Sequence, residues 1–458
     1  MALLNVWHSR WQTLANQMQL LREQTDPTLS QNKTIHRIKT IHGLACNLQF
    51  FATAQHRFFE DGFGSKTYND LEESADFTFD YVQRSVINQT AEDIKLIEQI
   101  YTQRQNPTFV RTLELVDCLA LNALKPAIQC KIIDSTTTVL SYFGKATSIR
   151  IIPYAQIALI GVPFTALETP RDLLAIVHEA GHYVYRRGRI TDAAGNKQTV
   201  RARITAALQA NKPAAPANLD PEKWLEEIFA DYYGSQIAGA GIALNFQNLQ
   251  LEFSKKRFTM NDEEHPSPVL RPHIYHKALQ CHNSSWAQPL HDLWETRRNH
   301  FLGNPANITA AGVNTNQVIS SGTTLNPALG IDKILKDCEE QLHLHQMAIP
   351  WVSADWWSAL RQPALPTKQD LDSLQNALDT ILYDTYESVS LPQPADIAQD
   401  QIYQPLYFDA HINRILPNWP APFIERIKTA RTGDWWVTDV LFAAGWNTFG
   451  NGHWTDGP

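Results

Sequence analysis

The chain has 458 residues, of which 43% are hydrophobic and 19% are charged, and these values are typical of a folded globular protein rather than a disordered or fibrous one. At roughly 150 residues per domain, this length predicts two or three domains. The formal net charge of −8 provides no basic excess, which argues against nucleic acid or an anionic membrane surface as a bulk partner.

The sequence also lacks the features of an exported or membrane-spanning chain. The first 24 residues predict an amphipathic helix, because charged residues such as Arg10 interrupt the apolar core that a signal peptide needs. The most apolar run, residues 149–167, includes Arg150 and Pro153 and is too interrupted to span a bilayer. Five scattered cysteines without a Cys-x-x-Cys pair argue against a disulfide framework and a cysteine metal site. We therefore expect a cytoplasmic protein with reduced thiols.

Hydrophobic spacing divides the chain into three regions. Apolar residues three or four apart predict a helical N-terminal domain over residues 1–135. Short β-rich runs followed by further helices predict a mixed domain over residues 136–300. Residues 301–458 predict a mainly helical region rich in proline and tryptophan, whose tryptophans we interpret as core residues rather than a ligand platform. The sequence thus predicts an α+β fold that is mostly helical and has one small sheet in its middle domain.

The small sheet is predicted from three short runs rich in β-branched residues. They are Val139–Phe143, Ile149–Ile152 and Gln156–Val162, and glycine, lysine and proline residues separate them. A helix follows, with Thr169 as its expected N-cap and Gly188 just after its end.

A His-Glu-x-x-His cluster lies inside that helix. Histidines four apart share a helix face, so His178 and His182 can both bind one ion, while Glu179 lies about 100° round the axis beside them. Two neutral imidazoles are typical ligands of Zn²⁺, which lowers the pKa of its bound water to about 7, and a neighbouring carboxylate can accept the proton. The cluster therefore has the arrangement that a zinc hydrolase needs, and the alternative from spacing alone is a helix with two surface histidines.

A second helix is predicted over residues 221–238, closed by Gly239. Its apolar residues share one face, which we expect to be buried: Trp224, Leu225, Ile228, Tyr232 and Ile237. Glu227 and Asp231 lie four apart on the edge of that face.

With these two motifs the chain resembles the gluzincin metallopeptidases, in which a glutamate from a downstream helix is the third zinc ligand. The resemblance implies that Glu227 joins His178 and His182 on Zn²⁺ and that Asp231 holds His178 through its other ring nitrogen. Glu226 is out of phase with Asp231 for that role, so we expect it to face solvent or substrate.

A third motif, from His265-Pro to Arg271, looks like the His-Pro followed by Arg of several gluzincin groups. It implies that His265 and Arg271 stabilise the oxyanion of a tetrahedral intermediate, an effect often worth roughly 3 to 4 kcal/mol. The alternative is a turn that starts a helix, with Ser267 as cap and Arg271 in an ordinary ion pair. The resemblance covers about residues 149–280 and implies a zincin-like domain whose edge strand binds the substrate backbone, for which Gln156–Val162 is the candidate.

The resemblance therefore predicts a selective zinc endopeptidase that hydrolyses a polypeptide substrate with Glu179 as general base. An aminopeptidase or amidase-type zinc hydrolase remains open, the former using residues 262–264 as an acidic cluster, and so does a binding or scaffold protein with an idle zinc site. The tail, residues 450–458, is a further hypothesis as an inhibitory segment that enters the cleft.

Two other histidine groups compete as metal sites. His343 and His345 alternate sides of a helix, so they cannot bind one ion from that helix. His273, His276 and His282 lack a carboxylate at a fixed spacing, and we interpret both groups as surface or core histidines.

Overall fold

A computed structural model describes residues 2–57, 79–191, 197–204, 221–258, 265–281, 284, 286–303, 309–310 and 313–314. Within them the helices are α1 (Ala2–Gln24), α2 (Ile38–Arg57), α3 (Phe79–Gln103), α4 (Pro107–Gln129), α5 (Ile176–Arg187), α6 (Pro221–Gln250), α7 (Lys255–Phe258), α8 (Arg271–Cys281) and α9 (Ala287–Leu302). The strands are β1 (Thr138–Gly144), β2 (Ser148–Ile151), β3 (Ile157–Pro163), β4 (Arg189–Thr191), β5 (Lys197–Thr199), β6 (Thr309–Ala310) and β7 (Val313–Asn314). The predicted α+β class, mostly helical with a small sheet, is confirmed.

Several sequence predictions fall outside the described residues. They include the acidic cluster 262–264, His343 and His345, the inhibitory tail 450–458 and almost all of the C-terminal region 301–458. In the part of the chain that is described, no helix has both the length and the apolar character that a bilayer crossing requires.

The three strand predictions are confirmed, but their order in the sheet is not the one expected. The strand order is β1-β3-β2, with β1 parallel and β2 antiparallel to β3. The prediction that Gln156–Val162 forms an edge strand is therefore wrong, because β3 pairs with a neighbour on both sides. The short strand β2 takes an outer position instead, next to α5.

The main core lies between one face of this sheet and the helices α4, α5, α6 and α8. Strand β2 contributes Ile149 to this core, and β3 contributes Ile160 and Val162. All three side chains are buried. Burial of this much apolar surface is the main force that holds the two central helices against the sheet. On the other side α3 packs on β1, and Asp93 of α3 pairs with Arg150 of β2.

The chain enters α5 through 3₁₀ turns rather than through a capped α-helix. Pro170–Ala175 forms a 3₁₀ segment with Thr169 at its N-cap position, as predicted, but the Thr169 side chain makes no capping hydrogen bond. Asp172 instead accepts a hydrogen bond from the Thr165 hydroxyl at 2.6 Å. Gly188 follows the end of α5 as predicted. Glycine fits this position because a Cβ there would lie 2.3 Å from the Val184 carbonyl oxygen.

Helix α6 is interrupted at Gly239, whose φ of 61° and ψ of −141° are not helical, so the predicted end of the first helical segment is confirmed and a second segment continues to Gln250. A side chain is strained in that region, so glycine is the residue that fits the break. The apolar residues expected on the buried face of the first half are all buried, which confirms that prediction.

Candidate metal centre

Helices α5 and α6 approach each other closely at Gly181. A Cβ atom at this position would lie 2.7 Å from the Cα atom of Ala230, a distance that carbon atoms do not adopt without a shift of the backbone. Glycine at the fourth position of the His-Glu-x-x-His cluster therefore lets the α5 backbone lie against α6. This close contact sets His178 and His182 opposite Glu227.

Three side chains bring potential ligand atoms to one point between these helices. The Nε2 atoms of His178 and His182 are 3.1 Å apart. The Glu227 carboxylate lies beside both, with Oε2 3.5 Å from His178 Nε2 and Oε1 3.4 Å from His182 Nε2. The structure therefore brings together the three residues that the sequence proposes as ligands.

These distances are compatible with a zinc ion. With bonds of about 2.0–2.1 Å, tetrahedral zinc separates two of its ligand atoms by about 3.3–3.4 Å. The two Nε2 atoms are 3.1 Å apart, and each has a different oxygen of the Glu227 carboxylate within 3.5 Å, of which one oxygen would bind the ion. The Nδ1 atom of each histidine faces a carboxylate, so we assign the proton to Nδ1 and a lone pair to Nε2. Two nitrogen lone pairs and a carboxylate oxygen then point at the same place, and a cation is what satisfies them together.

Each of the two histidines has its own carboxylate partner on α6. His178 Nδ1 lies 2.9 Å from Asp231 Oδ1, at ion-pair distance although not as a well-aligned hydrogen bond. His182 Nδ1 lies 3.0 Å from Glu226 Oε1, and Glu226 also accepts a hydrogen bond from Arg186 Nε at 2.6 Å. The expectation that Glu226 faces solvent or substrate is wrong, because its side chain is buried against α5.

Asp231 is fully buried and accepts hydrogen bonds from two further residues, both on α8. Arg271 donates to its two carboxylate oxygens, from Nε at 2.9 Å and from Nη2 at 2.7 Å. Tyr275 donates its hydroxyl to Oδ1 at 3.0 Å. Burial raises the pKa of Asp231, but the charge of Arg271 and the close contact with His178 lower it more, so the pKa lies below its ordinary value.

The charges of the centre favour a bound cation. Burial lowers the pKa of His178, but Asp231 and Glu227 outweigh this effect and raise it to about 10. Burial raises the pKa of Glu227, yet the neighbouring His182, His178 and Arg271 hold it well below its ordinary range. The carboxylates therefore stay ionised and attract positive charge to the centre. This charge is either a proton on the imidazole or a metal ion, because both bind the same nitrogen lone pair.

Glu179 and His265, the predicted base and oxyanion donor, are both partly exposed. Glu179 lies on α5, next to His178 in sequence. His265 Nε2 lies 3.6 Å from Glu227 Oε1, and its side chain is 37% exposed. Both side chains are therefore accessible to solvent.

The contacts of Arg271 differ from those expected of an oxyanion donor. In addition to Asp231, its Nη2 atom donates to Glu227 Oε2 at 3.1 Å, and its guanidinium lies 4.8 Å from the centre of the Phe246 ring. These contacts correspond to the ion-pair alternative, in which the arginine holds carboxylates in place. Ser267 does accept the backbone N–H of Arg271, through its carbonyl oxygen rather than its hydroxyl.

Comparisons of the chain with protein-family models, with curated proteins and with solved structures returned no match.

Proposed function

We propose that this protein is a zinc-dependent peptidase of the gluzincin type, with a zincin-like domain built from the small sheet and the helices α5 and α6. The observation that carries the proposal is the convergence of His178 Nε2, His182 Nε2 and the Glu227 carboxylate, whose ligand atoms lie close enough to share one ion. A glutamate beside the first histidine adds the base that hydrolysis needs and that a purely structural site does not.

His178, His182 and Glu227 would hold the ion, and Asp231 and Glu226 would fix the ring orientation of the two histidines. A zinc ion bound there polarises a carbonyl group and lowers the pKa of a water molecule to about 7. Arg271 neutralises part of the carboxylate charge and keeps Glu227 oriented.

Glu179 is the general base of the proposed reaction. Its carboxylate takes a proton from the water that attacks the scissile carbonyl carbon and then gives this proton to the leaving amine. His265, at the exposed rim, donates a hydrogen bond from Nε2 to the oxyanion that develops on the former carbonyl oxygen.

Strand β2 is the proposed binding site for the substrate backbone. It lies at an outer position of the sheet beside α5, which is the place that a strand needs in order to pair with an extended peptide. This role replaces the one expected for Gln156–Val162.

The proposal is tested by metal analysis and peptide cleavage with Glu179→Gln. We expect the variant to keep its zinc and to cleave a peptide library about 10²–10⁴ times more slowly than the wild type, because the base is lost while the ligands remain. Glu168→Gln, an exposed glutamate before α5, is the matched control and should cleave at the wild-type rate.

Two results would contradict the proposal. Wild-type cleavage by Glu179→Gln would remove the base assignment. Bound zinc without cleavage of any peptide by the wild type would favour a scaffold protein with an idle zinc site.

A further inference from the structure

A second group of histidines lies between α8 and α9, two helices that pack against each other. His273 and His276 are three apart on α8, while His291 and Glu295 are four apart on α9. Each spacing places its two residues on one helix face. No carboxylate lies at a fixed spacing from His273 in the sequence, but the neighbouring helix provides one, that of Glu295.

Ligand atoms of His273, His291 and Glu295 all lie within 4.8 Å of one another. His273 Nε2 is 3.6 Å from Glu295 Oε1, and the ring centroids of His273 and His291 are 5.4 Å apart. The His276 ring lies beside them, tilted against the His291 ring with 4.4 Å between the ring centroids. Its Nδ1 donates a hydrogen bond to the Ala287 carbonyl oxygen at 2.9 Å.

Two ring nitrogens of this group are buried without a hydrogen-bond partner. They are His273 Nε2 and His291 Nδ1. The exposed carboxylate of Asp292 lies 3.6 Å from His291 Nδ1, beyond hydrogen-bond distance. A buried polar atom left in this way costs about 1–3 kcal/mol, so two of them in a group that also holds the Glu295 carboxylate need a physical explanation. A bound metal ion satisfies all three groups at once.

The surrounding charges are compatible with an ion of modest affinity. Arg298 donates to both oxygens of Glu295, at 2.8 Å and 2.6 Å. A carboxylate oxygen has two lone pairs, so Oε1 can accept from Arg298 and still bind a metal. Arg271 and Glu227 show the same combination of arginine and carboxylate in the first centre.

We propose that His273, His291 and Glu295 form a second site for a divalent transition-metal ion, separate from the candidate catalytic centre. Two imidazole nitrogens and one carboxylate oxygen are ligands that zinc and its neighbours in the first row accept, and that calcium and magnesium do not favour. The ion would join α8 to α9. Because α8 begins at Arg271, this joint would also support the arginine that contacts Asp231 and Glu227.

The test uses the full-length chain, stripped of metal with a chelator and then loaded with Zn²⁺ alone. Zinc per chain and the melting temperature are measured for the wild type, His291→Ala and His300→Ala. His300 is an exposed histidine on the same helix and serves as the matched control. Glu295 is left unchanged, because its removal would leave the buried Arg298 without its carboxylate.

We expect His291→Ala to bind one zinc fewer than the wild type and His300→Ala to bind the same number. The rise in melting temperature on zinc addition should be smaller in His291→Ala. His273→Gln should repeat both effects if the fold is kept, as judged by circular dichroism. Equal zinc content in His291→Ala, His273→Gln and the wild type would overturn the proposal.

The outcome is independent of the first centre. Glu227→Gln should remove a different zinc, so the double variant with His291→Ala should bind two fewer than the wild type. If Glu227→Gln changes nothing and His291→Ala still removes one zinc, the second site stands while the catalytic proposal fails. If the double variant loses no more zinc than Glu227→Gln alone, the second site is refuted.

Discussion

Each candidate ligand histidine has its orientation set by a carboxylate on α6. The resemblance to the gluzincins implied this role for Asp231, which lies one turn beyond Glu227. The role of Glu226 was not expected. Its helix phase places it about 100° from Glu227 and does not show which residues of the neighbouring helix it contacts. Since α5 presents two histidines four apart, it reaches both sides of Glu227. A basic residue one turn after the second histidine, Arg186, was the only available signal of a buried acidic partner.

These roles predict different effects for two adjacent glutamates. Glu227→Gln should abolish zinc binding at the centre, because it removes the charged ligand. Glu226→Gln should weaken zinc affinity by about 10–100-fold, because a neutral amide oxygen replaces the charged acceptor of His182 Nδ1–H, while His182 keeps its ligand atom. Zinc affinity measured by competition with a chelator distinguishes the two variants. Equal affinity of Glu226→Gln and the wild type would mean that Glu226 does not orient His182.

At the scale of the elements, the centre depends on how closely α5 and α6 pack. The contact between Gly181 and Ala230 involves backbone on both sides, so neither partner can yield by rotating a side chain. Gly234 on α6 is a useful contrast. A Cβ there would lie 3.2 Å from Cδ1 of Ile242, the flexible end of a side chain.

Gly181→Ala should therefore destabilise the fold by about 1–3 kcal/mol and weaken zinc binding, although alanine favours a helix by about 1 kcal/mol. Gly234→Ala is the matched control, a buried helical glycine whose neighbour can move, and should leave zinc affinity unchanged. Urea unfolding and chelator competition provide the two measurements. A Gly181→Ala protein as stable and as tightly zinc-binding as the wild type would show that the close approach is not required.

At the scale of the whole molecule, local patterns of the sequence were more informative than its long-range pairings. Val139–Phe143 and the buried face of α6 follow from residue periodicity, and Gly188 and Gly239 from chain-break signals. The central position of β3 does not follow, because strand order is decided by contacts between distant segments. The group of His273 and Glu295 was missed for the same reason, since its ligands come from two helices.

A buried thiol also determines how the free energy of unfolding depends on pH. Cys118 of α4 is 1% exposed, and burial, together with the charges of Asp117 and Glu114, raises the pKa of its thiol from 9.0 to about 12. Between these two pH values the unfolded chain loses the thiol proton and the folded chain keeps it. The unfolded state is therefore favoured progressively as pH rises from 9.0 to about 12.

The measurement compares wild type with Cys118→Ala in urea unfolding at several pH values. The variant should be less stable at pH 8, because a buried sulfur atom is lost, and the difference should shrink as pH rises above 9. Val116→Ala, a buried position on the same helix without a titratable group, should keep a constant difference from wild type. A constant difference for Cys118→Ala as well would mean that the thiol ionises equally in both states.

The position of Arg271 at the first residue of α8 has a consequence for local opening of the chain. Any motion that unwinds the start of α8 withdraws this guanidinium, and with it the Tyr275 hydroxyl, from the buried carboxylate of Asp231. Breaking such a buried pair costs about 3–5 kcal/mol, so the first turns of α8 open rarely. Their amide hydrogens should exchange with solvent through the same openings that disassemble the metal centre, and a bound ion would slow that exchange in proportion to its occupancy. In His291→Ala, which lacks the proposed second site between α8 and α9, amide exchange in α8 therefore reports the loading of a centre whose ligands all belong to other helices.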